Sequence, residues 1–460
     1  MKNKAQIDMT KGHPLKLLLA FTLPALLSNF LSQVYSLTDS IIVGKVLGNQ
    51  ALDAIGVTMP IILLIVSLVI GVNIGCGVLM AQSFGRKEYG QVRHIFANSF
   101  YFALFLSAII ALSGFFLSKQ ILIWMQTPEN ILAEATKYLQ VSFVTMLFPL
   151  SYYLLYNAFR SIGDSLSALW CLLVSAISNI GLDFLFVLVF KMGVEGTAIA
   201  TAIAQGLSVI FALVLLYIKY PQMRIHKEDA KLNIRLMGDI SRLAIPFALQ
   251  AGINNLGNVL VQGCVNQFGE NVISSYTVGS RIAAFALIPV ENVGSSLSVY
   301  TSQNVGAGTT DRIEPGVKAS HILNLGFSAV VGLVLGFAGI YMIPWFLKEP
   351  AEEVVHEAYR YLLIAGVPCI LCGIMNIYQY VLKGMGKAAD SLIAGFMQLA
   401  AKAGIAFAAA YAWHNVLILW FAWPISFVAG TLYPLIRYFW IRKKWKKEVS
   451  VLSSEADRAS

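Results

Sequence analysis

Two aspartates stand inside long apolar stretches of this sequence, where a charged side chain needs a chemical reason. Asp39 lies in "VYSLTDSIIVGK" and Asp183 lies in "SNIGLDFLFV". A carboxylate near the centre of a membrane helix costs at least roughly 2.5 to 3.5 kcal/mol on insertion scales, so a function is the first hypothesis for each. Asn179 precedes Asp183 by one helical turn and therefore shares its helix face.

Asp39 and Asp183 are expected at similar depths in the membrane. At 1.5 Å per residue from the outer ends of their helices, both lie roughly 8 to 10 Å below the outer surface, and Thr201 enters at a similar depth. Burial and mutual repulsion both disfavour ionisation of two neighbouring carboxylates, so the pair is predicted to take up protons near neutral pH. With neutral oxygens from Asn179 and Thr201, a sodium site at Asp39, Asn179 and Asp183 is the alternative. The residue types leave both ions open.

Three further charged residues fall within predicted spans: Arg281, Glu291 and Lys402. Arg281 and Glu291 are ten positions apart on one helix, which separates their faces by about 80° and argues against a pair within the helix. Glu291 with Lys402 is the interhelical pair that the sequence suggests, in a structural or gating role.

The elements that position these residues are membrane helices. The chain has 460 residues, of which 57% are hydrophobic and 12% are charged, far more apolar than a soluble domain. Recurring runs of about twenty apolar residues predict twelve transmembrane helices. Most Lys and Arg residues fall in the loops on the side of the two termini, so the positive-inside rule places both termini in the cytoplasm. We interpret the N-terminal run as a retained first span and not as a cleaved signal peptide.

The same composition disfavours several other functions. The cysteines all lie in apolar stretches, and Cys369 and Cys372 are interpreted as packing residues. The basic tract "RKKWKKE" directly follows a span, where topology and anionic lipid explain it better than nucleic acid does. We recognise no metal-ligand cluster, nucleotide-binding glycine loop, selectivity loop or triad spacing, so neither an enzyme nor an ion channel is expected.

The two halves of the chain repeat each other. "LAFTLPALLSNF" around Pro24 matches "LAIPFALQAGINNL" around Pro246, and Gly163 matches Gly386 at nearly the same interval along the chain. Two six-span units have the same orientation, which is a design of secondary transporters with alternating access at the repeat interface. The predicted domains are an N-lobe at 1–220, a cytoplasmic linker at 221–241, a C-lobe at 242–445 and a cytoplasmic tail at 446–460.

These features together resemble the multidrug and toxic compound extrusion (MATE) family. The resemblance rests on two six-helix lobes, on Pro24 in the first span and on the motifs "VYSLTD", "RSIGDS" and "SNIGLDF", and it covers nearly the whole chain. It looks closest to the DinF-like and MepA-like bacterial branch. The resemblance implies an antiporter in the bacterial cell membrane that exports amphipathic, often cationic, drugs in exchange for protons or sodium. It carries the coupling site onto the following residues: Asp39, Asn157, Asn179, Asp183 and Thr201.

The resemblance also sets expectations for the second lobe and for partners. Another branch of the family uses acidic residues in spans seven and ten, where this chain has amides such as Asn258 and Asn376. Pro24 is the expected hinge, because proline interrupts the hydrogen bonding of a helix. We expect drugs or dyes and membrane lipids as partners, a monomer, no nucleic acid, and no cofactor beyond the coupling ion. A lipid-linked oligosaccharide flippase of the same superfamily is the alternative, supported only by Arg281 and Lys402.

Overall fold

The computed structural model folds these apolar runs into helices, which satisfy their own backbone hydrogen bonds where lipid offers none. Within the described part of the chain every regular element is a helix and none is a strand. The predicted all-helical membrane fold is therefore confirmed. The backbone is described at residues 6–47, 49–347 and 351–459, and the side chains are described at the same positions except 36–45, 49, 50, 52 and 447–459.

Ten helices of the described residues are long and apolar enough to cross a membrane. The pair Glu129–Val144 and Leu147–Ser161, bent by 48° at its break, makes eleven if it is one span. The remaining one of the twelve predicted spans corresponds to Ile234–Val265, which has 32 residues but carries amide side chains along its second half. The cytoplasmic position of the termini stays a prediction.

The chain divides into two compact units. The first contains residues 6–8 and Ala20–Ala248, and the second contains Met9–Leu19 and residues 249–459. Each division cuts a helix close to a proline, ahead of Pro24 in one case and just after Pro246 in the other.

The first unit is built from seven helices and the beginning of an eighth. They are α1 (Pro14–Val46, from Ala20 on), α2 (Asn49–Gly85), α3 (Tyr89–Trp124), α4 (Glu129–Val144), α5 (Leu147–Ser161), α6 (Ser165–Asp183), α7 (Val194–Lys219) and the start of α8 (Ile234–Val265). A π-helical segment, Phe184–Val189, follows α6 without a break.

The segment between α7 and α8 is bound to α3. Arg93 Nε donates to Asp229 Oδ2 at 2.7 Å, and the side-chain oxygen of Asn98 accepts from the backbone N–H of Asn233 at 2.8 Å. Burial acts to raise the pKa of Asp229, but the hydrogen bond and charge of Arg93 and the backbone N–H of His226 outweigh it, so this pKa lies below its ordinary value. A charged pair and backbone hydrogen bonds therefore hold the segment in place.

The second unit repeats this plan. Its helices are the rest of α8, α9 (Glu270–Gly306), α10 (Ile313–Met342), α11 (Glu352–Tyr361), α12 (Cys369–Gly384), α13 (Ala388–Phe407), α14 (Val416–Trp420) and α15 (Ala422–Ala459). A π-helical segment, Ala408–Ala412, follows α13 just as one follows α6. All five cysteines of the chain are buried and free.

Equivalent helix pairs make equivalent close contacts in the two units. In the first, Ser161 Oγ donates to the backbone oxygen of Gly77 at 2.9 Å. The corresponding residues of the second are Gly384 and Ser298, and a Cβ added at Gly384 would lie 2.6 Å from the backbone oxygen of Ser298. A small residue brings two helix backbones together at the same place in both units.

Candidate functional site

Asp183 is the last residue of α6 and directly precedes the π-helical segment. Its side chain is fully buried, at 0% exposure, inside the first unit. A π-type turn changes the direction of the side chains beside it and is frequent at functional sites. The helix therefore changes its geometry at the position where the sequence places its buried acid.

Asn179 connects Asp183 to the next helix. With its nitrogen turned toward Asp183, the amide of Asn179 donates to Oδ2 at 3.1 Å, and its oxygen accepts from the hydroxyl and the backbone N–H of Thr201 at 3.2 and 3.3 Å. We assign this orientation because the opposite one would point the amide oxygen at the carboxylate. The three predicted residues on α6 and α7 thus form one hydrogen-bonded group.

The group combines a carboxylate, an amide and a hydroxyl in a largely closed site. Asn179 is 1% exposed and Asp183 is 0% exposed, so water does not solvate a charge there. Oxygen ligands of this kind suit a proton or a small hard cation. No three His, Cys, Asp or Glu side chains gather into a metal centre in the described ranges.

The hydrogen bonds described for the Asn179, Asp183 and Thr201 group do not include the other predicted site residues. Asp39 is part of α1, but its side chain lies outside the described residues. Asn157 on α5 donates its side-chain amide to the backbone oxygen of Tyr153 at 3.0 Å. Pro24 lies inside α1, and the hydroxyl of Ser28 donates to the backbone oxygen of Pro24 at 2.9 Å.

A buried ion pair at the start of α6 was missed by the sequence reasoning. Asp164 caps this helix by accepting from the backbone N–H of Ser167 at 3.0 Å, and its Oδ2 accepts from Lys219 Nζ at 2.6 Å and from the Tyr220 hydroxyl at 2.5 Å. Burial, followed by the charge of Asp164, raises the pKa of the Tyr220 phenol. The motif "RSIGDS" contains the cap, but the cation and phenol come from the far end of α7.

A buried cation beside two aromatic rings was also missed. The Arg160 guanidinium lies 5.7 Å from the ring centroid of Tyr156 and 5.6 Å from that of Phe21, and Arg160 is only 8% exposed. Tyr152 precedes Tyr156 by one turn of the same helix, with the two ring centroids 6.3 Å apart. The four-position spacing along α5 was the signal available in the sequence.

The charged residues of the second unit do not form the predicted pair. Glu291 and Lys402 make no ion pair within the described residues, because Lys402 Nζ instead donates to Asn258 Oδ1 at 3.0 Å. Arg281 and Glu291 are exposed on α9, whereas Lys402 is buried. Among the described residues, Lys383 of α12 is a cation whose charge acts on Glu291.

Comparison with known proteins relates this geometry to a family. The MatE family model matches the chain twice, at residues 24–185 and 246–408. The chain is 26% identical to the probable multidrug resistance protein YoeA of Bacillus subtilis over 93% of each chain. It is 22% identical to the multidrug export protein MepA of Staphylococcus aureus, covering 96% of this chain and 92% of that one.

A solved structure described as MATE in the bent conformation superimposes with a TM-score of 0.85 at 19% identity, covering 98% of this chain and 100% of the other. At this identity the likeness supports the fold alone. The double match of the family model covers most of the chain and falls once in each half, as the duplication requires. The chain therefore belongs to the MatE family, the multidrug and toxic compound extrusion transporters.

Proposed function

We propose that the protein is an efflux antiporter, which exports amphipathic, often cationic, compounds in exchange for protons or sodium. Family membership and relatives named as multidrug resistance and multidrug export proteins support the transport class. The coupling ion is proposed to bind in the first unit at Asp183, with Asn179, Thr201 and Asp39 completing the site. Asn157 is a further proposed member.

The observation that carries this proposal is the burial of Asp183 next to Asn179 and Thr201. A carboxylate closed off from water within a membrane helix is costly, and it is retained where an ion must be held and released. Asn179 donates to Asp183 and accepts from Thr201, so binding of an ion at the carboxylate changes hydrogen bonds on both α6 and α7.

The proposed cycle follows from this connection. A proton or sodium ion bound at Asp183 reduces the negative charge that accepts the hydrogen bond from the Asn179 amide, so this bond weakens and α6 and α7 repack. Ion binding drives drug release only if the ion binds the drug-releasing state more tightly than the other state. By reciprocity, drug binding weakens ion binding by the same factor.

Pro24 is the proposed hinge of this repacking. It interrupts the hydrogen bonding of α1 at the place where the first unit begins, so bending costs less there than in an unbroken helix. The similar structure described as a bent conformation supports the choice of a bending element.

The direct test is ethidium movement in proteoliposomes with an imposed ion gradient. We expect dye to accumulate against its own gradient when a proton or a sodium gradient is imposed, and not when a potassium gradient of equal size is imposed. Protein-free liposomes provide the control for passive dye movement. Dye movement that is indifferent to both the proton and the sodium gradient would overturn the proposal.

A further inference from the structure

Lys402 is a buried lysine that the proposed coupling site does not use. It lies on α13 with 4% exposure, and its Nζ donates to Asn258 Oδ1 at 3.0 Å. The same nitrogen lies 3.5 Å from the ring centroid of Trp423, close enough for a strong cation–π contact. The stem of the side chain passes Gly257, where an added Cβ would lie 3.4 Å from Lys402 Cδ.

The internal repeat gives this lysine a counterpart in the first unit. Asp164 directly precedes α6, and Lys387 directly precedes α13, so these two residues are equivalent in the repeat. The two matches of the family model end at positions 185 and 408, which are separated by the same interval as Asp164 and Lys387. That interval also separates Asn179 from Lys402. Lys402 therefore stands at the position that Asn179 has in the proposed coupling site.

The partner of this residue is also equivalent in the two units. α7 begins at Val194 and α14 begins at Val416, and the interval between these starts is the one that separates Thr201 from Trp423. Asn179 contacts Thr201 in one unit, and Lys402 contacts Trp423 in the other. The equivalent positions of the two units thus hold different residue pairs, an amide beside a hydroxyl in the first and an ammonium beside an aromatic ring in the second.

The residues that differ between the two positions change how each position would interact with a cation. Where the first unit has Asp183, the interval that leads from Asn179 to Lys402 leads to Ala406, which is fully buried and carries no charge. An amide is replaced by an ammonium, and a hydroxyl is replaced by an aromatic ring whose face attracts cations. Among the described residues, a free cation entering this place would meet the positive charge of Lys402, and it would find alanine at the position where the first unit has a carboxylate.

We propose that Lys402 is a tethered cation, held between the Asn258 oxygen and the Trp423 ring at the second unit's counterpart of the ion site. The positive charge at this place of the second unit is then part of the chain and is not exchanged with the solution. The interpretation of the first position as an ion site rests on the proposed function. The prediction that the second position requires a positive charge can be tested without it.

The binding test uses purified full-length protein in which Lys402→Ala empties the position. All variants also carry Asp183→Asn, which removes the carboxylate of the first unit from the response. We expect methylammonium chloride to raise the melting temperature of the Lys402→Ala protein by about 3 °C relative to choline chloride at equal ionic strength. Lys402→Met, which fills the position without charge, should show no such rise. A Lys402→Ala protein that ignores methylammonium, or a Lys402→Met protein that responds equally, overturns the proposal.

The transport test uses the otherwise unchanged chain and remains decisive if Lys402→Ala does not fold. Lys402→Arg keeps the charge and should export ethidium within about threefold of the unmodified protein, whereas Lys402→Met should lose about tenfold or more. Equal export by Lys402→Met and the unmodified protein overturns the proposal. If instead Asp183→Asn retains coupled transport, the proposed function fails while the melting result for Lys402 still stands.

Discussion

Asn179 and Asp183 lie one turn apart on α6, and the Asn179 amide donates to Asp183 Oδ2 at 3.1 Å. The oxygen of the same amide accepts from the Thr201 hydroxyl at 3.2 Å, so a single side chain joins the carboxylate to α7. Any change in the charge of Asp183 therefore alters a contact between two helices. This relationship makes the coupling proposal accessible to single substitutions.

Thr201→Val should weaken activation of transport by the coupling ion about tenfold, because it keeps the side-chain volume but removes the hydroxyl that Asn179 uses. The measurement is ethidium export by proteoliposomes as a function of proton or sodium concentration. Thr197→Val is the matched control: Thr197 lies one turn earlier on α7, and its hydroxyl donates within that helix, to the backbone oxygen of Val194 at 2.9 Å. Equal effects of the two substitutions would contradict the special role of Thr201.

Pro24→Ala should reduce export about fivefold or more without unfolding the protein. Alanine restores the helical hydrogen bond and removes the disruption that proline causes in a helix interior, which costs the helix about 3 kcal/mol, so α1 should become harder to bend. Pro60→Ala is the control, since Pro60 also lies within a helix, α2, but has no proposed part in the cycle. Export and melting temperature of both proteins should be compared, and unimpaired export by Pro24→Ala would remove the hinge from the account.

Asp164→Asn should destabilise the first unit by about 3 kcal/mol, because it leaves the Lys219 ammonium without its carboxylate in a half-closed site. Unfolding in a denaturant series measures the change. Glu88→Gln breaks the exposed pair with Arg86, whose side chains are 42% and 51% exposed, and should cost at most about 1 kcal/mol. Similar losses in the two proteins would show that the buried pair has no special weight.

Asp229→Asn should release the segment between α7 and α8, because it removes the charge that Arg93 binds. Trypsin cleavage after Lys227 and Lys231 in the native protein should accelerate about tenfold. Glu228→Gln, at the exposed neighbouring position, is the control and should cleave at the rate of the unmodified protein. Equal acceleration of trypsin cleavage by the two substitutions would contradict the proposal that the Arg93–Asp229 ion pair holds the segment in place.

The stabilisation that the Arg93–Asp229 ion pair gives to this segment has a defined pH dependence. Since the pKa of Asp229 lies below its ordinary value in the folded protein, its stabilisation is fully present above about pH 4 and is lost as pH falls through the lower folded pKa. Amide hydrogen exchange of residues 222–233, corrected for intrinsic rates, should stay constant from pH 7 to about pH 5 and rise below the ordinary carboxyl pKa. Loss of protection against hydrogen exchange already near pH 6 would show that a group other than Asp229 controls the stability of this segment.

The fold and part of the site could be predicted from local sequence. Helix length, the duplication and the grouping of Asn179, Asp183 and Thr201 follow from spacing, because residues four apart share a helix face and consecutive membrane helices are neighbours. The pairing of Lys402 could not be predicted in this way. It depends on contacts between α13, α8 and α15, which the spacing of residues does not reveal. The sequence suggested the acid Glu291 as the partner of Lys402, but in the structure the amide oxygen of Asn258 accepts the hydrogen bond from Lys402.

Buried cations were also hidden by their position in the sequence. Arg160 and Lys219 lie at helix ends, where charged residues are usually solvated. Arg160 is nevertheless 8% exposed beside aromatic rings, and Lys219 reaches Asp164 at 2.6 Å. The packing of α6 against α7 in the folded protein brings Asp164 and Lys219 together. The sequence does not reveal the distance between these two residues.

The central claim, that Asp183 carries the coupling ion, is tested most directly by drug-driven ion movement. Proteoliposomes loaded with a pH-sensitive or a sodium-sensitive dye are given ethidium, and ion flux is recorded for the unmodified protein and for Asp183→Asn. The account predicts that ethidium drives ion flux through the unmodified protein and none above background through Asp183→Asn, although the variant still binds ethidium. Undiminished ethidium-driven flux through Asp183→Asn would contradict the claim.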